Sequence, residues 1–185
     1  GAVFPANLGE LDSPCSSITR AQPVLDDFSR DWYSAHLLQA GEGPLANYAV
    51  SDSQINRQIR FIWLRSFHRP IVIRITQREN GRWQLNAVEL NGACGYEPGV
   101  VGRSIERELD DEEETGLLRM VDGAKLFEQP SLICELGLDG ARWIVEGIDR
   151  EAYHFIDRWS PEQGPVHDFG LYALELTGWD VGEIY

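Results

Sequence analysis

Arg57-Gln-Ile-Arg-Phe-Ile-Trp-Leu-Arg65, followed after a turn by Pro70-Ile-Val-Ile-Arg-Ile-Thr76, decides the fold class. In the first run Ile59, Phe61 and Trp63 alternate with Arg60, Ile62 and Leu64. In the second, Ile71, Ile73 and Ile75 alternate with Val72, Arg74 and Thr76. A period of two marks extended chain, so the pair predicts two antiparallel strands, with Pro70 at the start of the second. Placing the aromatic and isoleucine sets on one face puts Arg60 and Arg74 together on the other. Two guanidinium groups directly opposed repel, so the expected register staggers them.

The same region is a cationic island. Between Arg57 and Arg82 stand seven arginines (Arg57, Arg60, Arg65, Arg69, Arg74, Arg78, Arg82) against one acid, Glu79. The stretch carries +6 in a 185-residue chain of formal charge -14, so the remainder carries -20. A division this sharp implies that the arginines hold something anionic, either another molecule or the protein's own acidic segment.

Downstream, Asn80-Gly81 is a hairpin signal, and a two-residue turn there sets Glu79 opposite Arg82. In the strand that follows, Trp83, Leu85 and Ala87 share one face while Val88 and Leu90 take the other, which calls for a bulge or burial on both faces. Gly92-Ala-Cys-Gly-Tyr-Glu-Pro-Gly99 reads as a glycine-rich loop, leading to a short strand from Arg103 to Leu109. Asp110 and Glu113 have capping-box spacing at the head of a helix carrying Leu117, Met120, Val121, Ala124 and Phe127. A second hairpin pairs residues 141–148 with 152–159. With Asp149-Arg150-Glu151 as its loop, Glu146 faces His154 and Arg142 faces Arg158. Pro165 starts a last helix with Val166, Phe169, Ala173 and Leu176 inward and Gly178 past its end.

Upstream, residues 1–22 lack either regular period and are expected to be an irregular lead-in. Pro23 opens a helix whose stripe of Leu25, Phe28, Trp32, Ala35 and Leu38 packs on the sheet. The expected architecture is a single α+β domain over residues 23–185: an antiparallel sheet of five or more strands, covered on one face by two or three amphipathic helices.

Composition narrows the function classes. A pI near 4.6 argues against a general nucleic-acid binder, because phosphate backbones need positive charge over a broad surface. No apolar run approaches the roughly 18 residues of a membrane span. The weakly apolar opening Gly-Ala-Val-Phe-Pro-Ala reads as what remains after a signal peptide is removed, so a periplasmic or secreted location is expected. A trimmed cytoplasmic protein is the alternative. Cys15, Cys94 and Cys134 allow one intramolecular disulfide and match no zinc spacing. All basic residues but Lys125 are arginine, which suits forked recognition of carboxylate or phosphate and also follows from a GC-rich genome.

Asp139-Gly-Ala-Arg-Trp-Ile-Val-Glu-Gly147, Tyr153-His-Phe-Ile-Asp-Arg-Trp-Ser-Pro161 and Gly164-Pro165 resemble a block found in small, often exported bacterial proteins without an established activity. Gly95-Tyr-Glu-Pro-Gly99 resembles an upstream block of the same group. The resemblance covers about a quarter of the chain by eye and implies a bacterial source and a shared fold, with no catalytic residue attached. Cys94 stands where glycine is expected in such relatives, which weakens it as a nucleophile.

The candidate site is a polar patch. Glu146, His154 and Arg158, joined by Arg60 and Arg74 on one sheet, would let a carboxylate set the histidine tautomer while guanidinium groups orient an anion. Against it stands a solvated sheet face laced with ion pairs worth about 0.2–1 kcal/mol each. The acidic run Asp110 to Glu114 docked on the same arginines is a further alternative. Cys94 lacks a third catalytic member, and His36 and His68 read as ordinary surface or half-buried residues in a helix and a turn. The six tryptophans fit packing better than a glycan platform. No metal or cofactor is expected. Two functions follow: a non-enzymatic extracytoplasmic binding protein engaging a protein or small anion through this face, or a hydrolase or transferase using Glu146 and His154 as acid and base with an arginine clamp.

Overall fold

The computed structural model describes residues 3–12, 21–45, 54–92, 97–135, 137–149 and 152–185. Four consecutive strands form a meander: β3 (Ile55–Arg65), β4 (Ile71–Arg78), β5 (Trp83–Leu90) and β6 (Val101–Glu108). The hairpin of β7 (Ala141–Asp149) and β8 (Ala152–Trp159) adds to the free edge of β3, giving the six-stranded antiparallel order β6-β5-β4-β3-β7-β8. Upstream lie β1 (Glu10–Asp12) and β2 (Ala21–Pro23), paired as a separate ribbon, and helix α1 (Asp27–Gln39). Helix α2 (Asp111–Leu118) links β6 to β7 and α3 (Pro165–Thr177) follows β8.

The α+β fold is as the alternation predicts, and two helices cover one face as expected. Ile59, Phe61, Trp63, Ile71, Ile73, Ile75, Trp143 and Val145 form a core there with Leu117 of α2 and Phe169, Ala173 and Leu176 of α3. Helix α3 follows its sequence pattern closely, with Pro165 in its first turn and Gly178 at its C-cap. Helix α2 has the capping box, Asp110 accepting from Glu113 N and Glu113 accepting from Asp110 N. The α-helix then stops at Leu118 and passes into a wider turn over Arg119–Gly123, so the single longer helix expected here is broken.

The opposite face is covered too. Helix α1 and the N-terminal residues Val3 and Phe4 bury Ile62, Leu64, Val72, Ile144 and Phe155. Helix α1 begins at its N-cap Asp26, while Pro23 ends β2. Its buried residues are Tyr33, Ser34, His36 and Leu37, and Phe28 and Leu38 are exposed, so the predicted stripe is rotated. The lead-in expected to be irregular contributes the β1–β2 ribbon and two core side chains.

Three registers correct the expectations. Arg60 lies directly opposite Arg74, unstaggered. The β4–β5 turn holds three residues, since Arg78 N donates to Arg82 O and Gly81 takes φ +83°, so Glu79 is not opposite Arg82. In the last hairpin Asp149 pairs with Ala152, which puts Gly147 opposite His154 and Glu146 opposite Phe155. The ambiguity in β5 resolves as a register irregularity at Glu89/Leu90.

Candidate functional site

A one-residue slip in a strand pair moves every side chain to the other face, and it dismantles the predicted patch. Arg60, Arg74 and Glu146 stay together on the face beneath α1, while His154 and Arg158 point to the opposite face. His154 stacks on the Phe127 ring (centroids 5.0 Å apart), and that ring sits over Gly147, where a Cβ would overlap it. Arg158 is buried beneath the 130–135 segment and donates to the carbonyls of Pro130 (2.7 Å) and Ser131 (3.2 Å). Burial pushes its guanidinium below the ordinary value. No Glu146/His154 acid–base pair forms.

Arg60, Arg74 and Glu146 belong to one charge network, in which Arg60 and Glu146 are buried and Arg74 is half-buried. Arg60 Nε donates to Glu146 Oε2 at 2.6 Å, and Tyr153 OH donates to Glu146 Oε1 at 2.6 Å. Glu42, from the turn after α1, inserts between the opposed arginines. It accepts from Arg60 Nη1 at 3.3 Å and from Arg74 Nε at 3.0 Å. This carboxylate is why direct opposition is tolerated: the row holds two cations and two anions. Arg60 and Glu146 are both fully buried. Burial is the largest single influence on the Arg60 guanidinium and lowers it, but Coulombic attraction from Glu146 and Glu42 and the hydrogen bond to Glu146 together hold it above its ordinary value. A charge-balanced network of this kind, buried at Arg60, Glu146 and Glu42 and reaching solvent only through the half-buried Arg74, is structural.

Most of the remaining island is spoken for by the protein's own acids. Arg57 pairs with Asp122, Arg69 with Glu89, and Arg82 with Asp111 and Glu114. The acidic run therefore docks on Arg82 and, through Glu113, on Arg107 (2.7 Å), rather than on Arg60 and Arg74.

Arg65 differs. It is 1% exposed, yet its hydrogen-bond partners are backbone carbonyls: Val181 (2.6 Å) and Glu183 (3.3 Å) through Nη1, and Arg69 (3.0 Å) through Nη2. Its Nε has no partner among the described residues. The guanidinium lies 3.9 Å over the Trp63 ring, and burial pushes it down to about 10. Glu89 attracts it across the cleft, but a buried cation whose hydrogen bonds go to carbonyls is costly to keep unless something compensates it.

Arg65 lines a cleft of about 410 Å3 at the end of the sheet where β3 runs into β4 and β5 into β6, bounded also by the 179–185 tail. Arg69 (side chain 61% exposed) and Arg103 (38% exposed) line it as well, clamping the buried Glu89 at 3.3 and 2.8 Å. Arg103 also donates to Asp180 O and stacks 4.5 Å over Trp179. His68 Nδ1 lies 2.6 Å from Tyr185 OH, and Phe67 stands 66% exposed at the rim. The residues missed by sequence reasoning carry a signal. Arg65 follows Ile59, Phe61 and Trp63 in the core phase of β3, and Glu89 follows Trp83, Leu85 and Ala87 in that of β5. A charge in a buried phase marks a place where the strand stops packing and starts holding something.

Cys134 is disulfide-bonded, and the segment around it covers the outer edge of β8, where Asp157 N donates to Ser131 O. Cys15 and Cys94 lie outside the described residues, as do residues 93–96 of the glycine-rich loop. Among the described residues no group of three His, Cys, Asp or Glu side chains is placed to hold a metal ion, and no helix is long and apolar enough to cross a membrane. No protein-family model matches the chain, and no curated protein is significantly similar to it.

Proposed function

We propose that this chain is a non-catalytic, extracytoplasmic binding protein, of the exported bacterial kind its sequence blocks resemble, and that it holds a small anion in the cleft of Arg65, Arg69 and Arg103. The reading rests on one observation, the buried Arg65 guanidinium whose partners are carbonyls rather than carboxylates. Carbonyl dipoles solvate a cation without neutralising it, so the cleft keeps a net attraction for negative charge. The sheet face first expected to bind offers no such surplus, since Glu42 and Glu146 balance Arg60 and Arg74. The disulfide at Cys134 supports an oxidising compartment.

The test is a thermal-shift titration with acetate and with phosphate against chloride at matched ionic strength. Anion binding raises Tm in the native protein by mass action, and the rise disappears in Arg69→Gln and Arg103→Gln. Equal shifts in the native protein and in both variants, or no shift, would sink the proposal.

A further inference from the structure

Resting on the anion-binding reading above, we infer that the ligand is a monocarboxylate with an apolar body, its carboxylate set against Arg65, Arg69 and Arg103 and its body against Phe67. Three features of the cleft combine to give this class.

The first is charge. Three guanidinium groups face two carboxylates, Glu89 and Asp180, so with His68 neutral the lining has a surplus of one positive charge. A single carboxylate cancels it. A phosphate dianion leaves an excess negative charge beside Glu89, which is 3% exposed and has both oxygens already engaged by Arg69 and Arg103. A misplaced charge next to a buried one is expensive in low dielectric.

The second is size. The cleft is an open groove of about 410 Å3, with room for an organic anion, and an inorganic anion would fill little of it. The third is the rim. Phe67 is two-thirds exposed in the turn between β3 and β4, tethered through its backbone N–H to Tyr185 OH, with Val181 also lining the cleft. An exposed ring beside a cationic floor suits a ligand that is charged at one end and apolar at the other.

The experiment is an NMR titration at pH 7.5 with four probes: acetate, 3-phenylpropionate, phenyl phosphate and 3-phenylpropanol. The expected result is that 3-phenylpropionate binds at least about tenfold tighter than acetate, a gain of about 1.4 kcal/mol from burying the ring, and tighter than phenyl phosphate. In Phe67→Ala that advantage falls to within about threefold while acetate affinity is unchanged. Exposed Phe67 packs in neither core, so this variant folds. Equal binding of acetate and 3-phenylpropionate, or tighter binding of phenyl phosphate, overturns the ligand class and leaves the anion site standing. Binding of 3-phenylpropanol as tight as that of the acid, or no binding of any anion, overturns both readings.

Discussion

Replacing Glu146 by leucine tests the account of the buried row most directly. In the native protein Arg60 and Arg74 are opposed on neighbouring strands, and their two charges are met by Glu146 and Glu42. Removing Glu146 leaves Glu42 to serve both cations, with its Oε2 already shared between Arg60 Nη1 (3.3 Å) and Arg74 Nε (3.0 Å). One positive charge is then uncompensated at a fully buried position, and the Tyr153 hydroxyl loses its acceptor. Breaking a buried pair in this way costs about 3–5 kcal/mol. For a chain of this length that is a Tm loss of about 6–20 °C. Urea unfolding at 25 °C and pH 7.5, compared at equal m-value, reads the difference. The companion double replacement, Arg60→Met with Glu146→Leu, leaves Glu42 facing Arg74 alone and restores neutrality, so it recovers at least about half of the loss. A single replacement costing under about 1 kcal/mol, or a double one no better than the single, would refute the argument that charge balance holds this row together.

Two further outcomes follow from buried contacts. Burial pushes the Asp157 carboxyl, which accepts from Tyr33 OH at 2.9 Å, up to about 6, so the folded state holds its proton more tightly than the unfolded chain. Stability from this group is present below about pH 4 and is lost as pH rises through 6, by about 3 kcal/mol at most; Asp157→Asn should flatten that part of a Tm-against-pH curve, and an unchanged slope would count against it. Gly147→Ala places a Cβ against the Phe127 ring and should cost about 1–3 kcal/mol in thermal denaturation, less in a Phe127→Ala background. Equal penalties in both backgrounds would show that the ring is not the obstacle.

The fold was legible where one face of a strand or helix is distinct from the other. Helix α3 and the capping box of α2 follow from spacing because Pro165, Gly178, Asp110 and Glu113 act locally. The β7–β8 register did not follow, and the reason is physical. Trp143 and Val145 face one layer while Ile144 and Ile148 face the other, so β7 is apolar on both sides and its hydrophobic pattern cannot distinguish neighbouring registers. The connecting residues Arg150 and Glu151 carry no glycine or asparagine to fix the turn. That single ambiguity assigned His154 and Arg158 to the wrong face. The direct opposition of Arg60 and Arg74 was missed for a different reason: its remedy, Glu42, comes from a turn before the strands, and spacing within the strands says nothing about it. The cleft was missed because Arg65 counts among the island's arginines, and the alternation of Trp83, Leu85 and Ala87 takes no account of Glu89, a charge in the next core position.

The four-charge row constrains how the sequence can drift. Since Glu42, Arg60, Arg74 and Glu146 are neutral only as a set, a neighbour in sequence space that loses one of them is tolerated only if an opposite sign vanishes with it. Substitution here must proceed in twos, between residues of opposite sign up to 86 positions apart along the chain. Paired changes at 60 with 146, or at 74 with 42, would therefore be the inherited footprint of this arrangement, legible in related chains even where nothing else of the layer under α1 is preserved.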